Sequence, residues 1–253
     1  MRTFLHPNAR MHGCMLALAW LKTVFRHKSW HNANYFQCES FHVLSGAATA
    51  KGHGGVQLWV AKQMNCGLKV SKEHLTMMHQ DSQQLVVLLN HPAVKLIFLV
   101  AHAPTLDKTE ELQQWWKQVD VQLRMRPNWP VISLIDANSS VGLPSSDSIG
   151  DFGATQENIA GAWFHEWLIR NKYWVPSTFS ECHSGDHNTW FHANGAAARL
   201  DYVTLSHDFK NTAVQTWVAQ DVDLSITRLV TSLCAVGWIS GFLTTSRCLS
   251  TQG

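Results

Sequence analysis

The sequence predicts a layered α/β or α+β domain with helices covering a sheet, and three observations carry that prediction. Short apolar runs rich in β-branched residues recur through the middle of the chain. Two longer segments between them place apolar residues at helical spacing. No repeat, low-complexity tract or Pro/Gly/Ser linker divides the 253 residues, so they read as one domain able to bury a large core.

Taken in order, Tyr35 to Phe41 reads as a strand leading into a hairpin, and Val56 to Ala61 (VQLWVA) as the glycine-led strand after it. Leu85 to Leu89 and Lys95 to Val100 (KLIFLV) are strands parted by the turn-forming Asn90, His91 and Pro92. Lys108 to Arg124 is a helix whose inward stripe is Leu112, Trp115, Trp116, Val119 and Leu123, which assigns both tryptophans to the core. Val131 to Ile135 is a short, almost wholly apolar strand. A glycine- and serine-rich loop to Gly153 follows, then a second helix from Glu157 to Lys172 with Ile159, Trp163 and Trp167 facing inward. Asn188 to Phe191, Arg199 to Leu205 and Ala213 to Val218 complete the strands.

Composition limits the function classes. Hydrophobic residues make up 45% and charged residues 15%, which excludes a disordered chain. The net charge of +2 and pI near 8.2 permit nucleic-acid binding without arguing for it. Cys14, Cys38, Cys66, Cys182, Cys234 and Cys248 form no C-x-x-C pair, favouring a reducing compartment over a disulfide framework or structural zinc. Cys14 to Leu21 is apolar but short and lacks an A-x-A cleavage pattern. Leu229 to Leu243 is mixed in character and shorter than the roughly twenty apolar residues of a membrane span. The expectation is an intracellular chain without membrane association, with the nucleus as one location.

Polar residues gather at strand ends. VISLIDAN closes on Asp136 and Asn138, two positions apart, so a strand continued through both would point them the same way. A carboxylate beside a neutral amide suits a hard cation, an attacking water and a phosphate oxygen. His102 follows KLIFLVA, in Ala101-His102-Ala103-Pro104, and Asp201 sits in Arg199-Leu200-Asp201-Tyr202-Val203. Singly, these are a strand-end histidine, a turn and a buried acid beside an arginine. A zinc reading of Cys182, His183, His187 and His192 lacks regular spacing and an evident fourth ligand.

Their order resembles the endonuclease/exonuclease/phosphatase superfamily, and in particular the endonuclease domains of non-LTR retrotransposons. The match runs from Gly54 to Ser206. It rests on Gly54-Gly55-Val56, on His102 with Pro104, on Asp136-Ala137-Asn138, on Ser177-Thr178-Phe179, on Asn188-Thr189-Trp190 and on Arg199 to Val203. The last three form the most specific block. The resemblance implies a four-layered α/β sandwich and Mg²⁺-dependent cleavage of phosphate esters, with Mn²⁺ as an alternative cation and DNA as substrate. It gives Asp136 the activation of water and binding of metal, Asn138 and His102 the phosphate oxygens, and Asp201 the orientation of a C-terminal histidine.

Both ends depart from the family pattern. The metal-binding Glu is expected near Val24 to Arg26, where no carboxylate stands; Glu39 is the only acidic residue before Glu73. The terminal Asp-His is replaced by Thr227-Arg228-Leu229-Val230-Thr231, and no histidine follows His207. Residues 1–25 and 237–253 are therefore read as atypical segments flanking a domain over 26–236, in a fold incomplete at both ends with an unpaired sheet edge. The chain is read as a decayed or mis-joined copy of a mobile-element endonuclease, weakened or inactive. The alternatives are an active enzyme in which Glu39 serves the metal and His183 or His187 replaces the missing histidine, a catalytically dead nucleic-acid or phosphate binder, and a lipid or small-molecule phosphodiesterase.

Overall fold

Side-chain alternation with period two organises the molecule. The computed structural model describes residues 14–21, 34–37, 39–47, 55–64, 67–105, 109–126, 128–191, 194–218 and 232–238. The first sheet contains β1 (Cys14–Leu21), β2 (Asn34–Gln37), β3 (Phe41–Ser45) and β4 (Val56–Ala61). The second begins with β5 (Leu75–Gln80), β6 (Gln84–His91) and β7 (Val94–His102). After α1 (Thr109–Leu123) comes β8 (Val131–Asp136), then the short ribbon of β9 (Gly142–Leu143) and β10 (Thr155–Gln156). Helix α2 (Ile159–Asn171) leads to β11 (Tyr173–Trp174), the hairpin of β12 (Trp190–Phe191) and β13 (Ala197–Ala198), and β14 (Asp201–Ser206). β15 (Val214–Gln215) and β16 (Ser232–Trp238) follow.

Two six-stranded sheets result, in the orders β15-β16-β1-β4-β3-β2 and β11-β14-β8-β7-β6-β5. Leu85, Val87, Leu96, Phe98, Val100, Ile132 and Leu134 point into the core between the sheets, where they meet Val56, Leu58 and Val60. Their sequence neighbours Val86, Ile97, Leu99, Val131 and Ile135 point the other way, against α1 and α2. Burial on both faces explains why these strands read as continuous apolar runs. The architecture is an α+β sandwich of two sheets with a helical layer on one. Among the described residues no helix covers the outer face of the first sheet, so three of the four expected layers are seen.

Trp115 and Trp116 lie in the core, as their helical stripe implies. On α2 the inward residues are Ala160, Phe164, Trp167 and Leu168, whereas Ile159 is 63% exposed. Ile159 is the first residue after the N-cap Asn158, and the core stripe starts one position later at i, i+4, i+7 and i+8. The segment Tyr35 to Phe41 is two strands, β2 and β3, with Glu39 and Ser40 in the bend between them. The segments expected as Asn188–Phe191 and Ala213–Val218 shorten to two residues each; in the first, the Asn188 backbone N–H is used in a turn bond to Asp186, and Thr189 Oγ1 accepts from the Leu200 N–H.

The expected gap in the first sheet is filled. β1, from the segment read as atypical, pairs antiparallel with both β4 and β16. No helix among the described residues is long and apolar enough to cross a membrane.

The sheets approach closely at one end. Gly55 N–H donates to Ser82 O across them at 2.7 Å. A side chain at Gly46 would come within 2.5 Å of Asp81 O, so only glycine fits there. β1 ends at Leu21, opposite Val56, and β16 begins at Ser232, opposite Leu21, at this same end.

Candidate functional site

Three strand ends form one row at that end. The parallel pairing of β7 and β8 sets His102 opposite Asp136, and the antiparallel pairing of β8 and β14 sets Asp136 opposite Asp201. The alternation that sends Val100, Leu134 and Val203 toward the other sheet also directs His102, Asp136 and Asp201 there, two residues beyond the apolar positions. His102 Nε2 lies 3.3 Å from Asp136 Oδ2, within ion-pair reach. Asp136 and Asp201 are buried and His102 is half-buried, so the row is an acidic floor at the mouth of the inter-sheet core.

Asn138 reaches the row by a different route from the expected strand continuation. β8 stops at Asp136, and Asn138 adopts a left-handed φ of 47°. Its backbone N–H donates to Asp136 Oδ1 at 3.1 Å, an Asx turn of the kind Asp and Asn favour. Its Nδ2 donates to Ala103 O at 2.7 Å, tying the end of β8 to the residue after His102. One N–H of this amide is thus structural; the second N–H and Oδ1 carry its donor and ligand character.

The Arg-Leu-Asp-Tyr segment is a knot that orients Asp201. Thr189 Oγ1 accepts from the backbone N–H groups of Leu200 and Asp201 at 3.0 and 3.1 Å. Arg199 Nε donates to His187 O, and its terminal nitrogen to Phe152 O, at 3.0 and 3.2 Å. Burial lowers the pKa of that guanidinium from its ordinary value. Tyr202 Oη lies 2.7 Å from Arg199 O and 2.9 Å from Ser139 O, one residue past Asn138. Thr189, Arg199 and Tyr202 were legible only as parts of a matching block. Their roles depend on contacts between segments far apart in sequence.

Other candidates lie elsewhere. Glu39 stands exposed beside Phe41, which pairs with Ala61; the sheet-contacting end of the same strands is at Ser45 and Gln57. Glu39 lies six residues before Ser45 at the row's end of β3, roughly 20 Å of extended chain. His183 is 9% exposed and has both ring nitrogens engaged, Nδ1 with Thr216 Oγ1 at 2.8 Å and Nε2 with Asp186 O at 2.9 Å. Burial pushes its pKa below the ordinary value, against the opposing pull of the Asp186 carbonyl. The His187 ring packs against Phe152. His207 begins a short helical turn beyond Ser206, at the opposite end of β14 from Asp201. Cys182 is a free thiol, and no group of three or more His, Cys, Asp or Glu side chains converges as a metal site among the described residues. His192, Val24 to Arg26 and Thr227 to Thr231 lie outside the described residues.

No family model matches the chain, and no curated protein matches it. Solved structures do. The 3′ phosphatase NExo from Neisseria, bound to a product DNA hairpin, matches with a TM-score of 0.50 and 14% identity, over 78% of this chain and 79% of that one. The endonuclease domain of TRAS1, a telomere-specific non-LTR retrotransposon, gives a TM-score of 0.48 and 16% identity over 68% and 69%. An endonuclease/exonuclease/phosphatase family protein from Leptotrichia buccalis gives 0.46 and 11% over 85% and 74%. Two facing sheets, the helical layer and the match to NExo agree: the chain has the two-sheet α/β fold of that phosphatase.

Proposed function

We propose that this chain is a Mg²⁺-dependent phosphodiesterase of the retrotransposon endonuclease type, with DNA as substrate, weakened by the absence of the family's Glu and Asp-His from their expected positions. The observation that supports it is the row of His102, Asp136 and Asp201 on adjacent strand ends, with Asn138 folded back beside it. The DNA hairpin in the NExo structure supports the substrate class.

The donor set fits a hard cation: Asp136, Asp201 and Asn138 Oδ1 offer oxygen ligands, and Mg²⁺ ordinarily takes one or two carboxylates with water and phosphate completing its shell. Bound there, Mg²⁺ or Mn²⁺ would neutralise charge developing on the phosphate. Asp136 accepts a hydrogen bond from the attacking water and orients it. His102 and the second N–H of Asn138 hold phosphate oxygens. Asp201 keeps the carboxylate floor rigid through the Thr189 and Tyr202 contacts. Glu39, at the far end of β3, is left out of this set.

The test is nicking of supercoiled plasmid by the purified chain with Mg²⁺, with EDTA, and with Asp136→Ala alongside. Mg²⁺-dependent nicking that disappears in Asp136→Ala supports the proposal. A folded chain that binds DNA with strong salt dependence but never nicks it is instead the binding remnant.

A further inference from the structure

Away from the row, the structure assembles a second constellation. Ser146 Oγ lies 2.6 Å from His165 Nε2, and His165 Nδ1 lies 2.5 Å from Glu157 Oε1. His165 is 6% exposed on the inner face of α2, and the Glu157 side chain, just before that helix, is 11% exposed. Ser146 is half-buried on the loop after β9, between exposed Ser145 and Asp147. A carboxylate that accepts from Nδ1–H fixes the tautomer whose Nε2 accepts a proton from the serine hydroxyl, the arrangement that activates serine for nucleophilic attack. The backbone N–H groups of Ser148 and Ile149 also point at Ser146 Oγ, at 3.1 and 3.3 Å, where they favour negative charge on that oxygen.

We propose that Ser146, His165 and Glu157 form a second, metal-independent nucleophilic centre that takes small, unhindered carboxylic esters. The proposal does not rest on the phosphodiesterase reading. The open loop sets the substrate class: Ser146 lies between exposed Ser145 and Asp147, with the exposed Leu143 three residues before it in the chain. Ser146 Oγ attacks the ester carbonyl carbon as its proton passes to His165 Nε2. The C–O bond to the alcohol breaks, and the alkoxide leaves with that proton. Water, deprotonated by His165, then attacks the acyl-Ser146 carbonyl and releases the carboxylic acid, returning the proton to Ser146. Glu157 holds the imidazolium between these steps without itself taking a proton.

The same contacts could serve only as a latch between the loop and α2, and reactivity separates the two. The full chain is incubated in EDTA with a fluorophosphonate probe and, separately, with p-nitrophenyl acetate. The expected result is one phosphonyl adduct mapped to Ser146 with loss of fluoride, and release of p-nitrophenolate. Both disappear in Ser146→Ala, and His165→Gln and Glu157→Gln slow labelling by about 100-fold or more. No adduct at Ser146 in the folded wild-type chain overturns the proposal. Labelling at an undiminished rate in His165→Gln does so as well.

Discussion

Asp136 and Asp201 stand directly opposite each other across the antiparallel β8–β14 pair, at the last residue of one strand and the first of the other. Two negative charges on these facing positions would repel, and the cation proposed above would offset them.

Asp136→Asn is therefore expected to stabilise the chain in EDTA by about 0.2–1 kcal/mol, the scale of a cross-strand pair. Mg²⁺ should raise the Tm of the wild-type chain more than that of the variant, because a ligand stabilises the state that binds it. Thermal melts in EDTA and in Mg²⁺ check both. Equal Mg²⁺ shifts in the two proteins would remove Asp136 from the cation site.

Tyr202→Phe leaves the Arg199 and Ser139 carbonyls without the hydroxyl they share inside the core. Tyr202 is 1% exposed, and burial raises its phenol pKa above the ordinary value, so the hydroxyl stays protonated at working pH. The expected cost is about 1–3 kcal/mol, the penalty of a buried unsatisfied polar group, read from the urea midpoint. Nicking should fall further than the fraction unfolded, since Asp201 precedes Tyr202.

Gly161, in the first turn of α2, faces Ser140 O so closely that an added Cβ would lie 1.9 Å from that oxygen. Gly161→Ala must push α2 away from the loop that follows Asn138. The expected loss is about 1–3 kcal/mol or more, measured by denaturant unfolding. The ordinary helix preference for alanine over glycine, about 1 kcal/mol, would act in the opposite direction. A stabilised variant would show that the loop yields easily.

Stability should decline in mild acid through His183. Its folded-state pKa lies below the ordinary 6.5, so between the two values the unfolded chain binds the proton and the folded chain does not. The contribution is therefore complete above pH 6.5 and is lost as pH falls through the folded pKa. His91 and His207, also lowered chiefly by burial, act in the same direction. Asp186, lowered chiefly by the Asn188 backbone N–H, adds its loss only as pH falls below its ordinary 3.8. His183→Gln should flatten the upper part of the pH–Tm curve, and an unchanged slope there would point to the other two histidines.

The central strands and both helices were legible because local periodicity carried them. β4 follows its expected bounds, and β6, β7, β8, α1 and α2 differ from expectation only at their ends. The strand-end placement of His102, Asp136 and Asp201 was legible too, because polar residues interrupt an apolar run there. Short ribbons were not. Two-residue strands carry too little sequence for a period to register, and Asn188 is held by a local turn bond to Asp186 while Thr189 accepts from Leu200 and Asp201 across the hairpin.

By itself, then, the sequence determined which residues alternate, which segments wind into helices, and that an acid, an amide and a histidine sit at strand ends. Those properties arise from the residue's own neighbours. The tertiary structure alone decided that three strand ends share one row, that Asn138 turns back to Ala103, that Glu39 lies at the other end of its sheet, and that His183 is held at both nitrogens. Each of these depends on pairing register and on hydrogen bonds between segments tens of residues apart. Such contacts form when two sheets close over a shared core, and no local period encodes them.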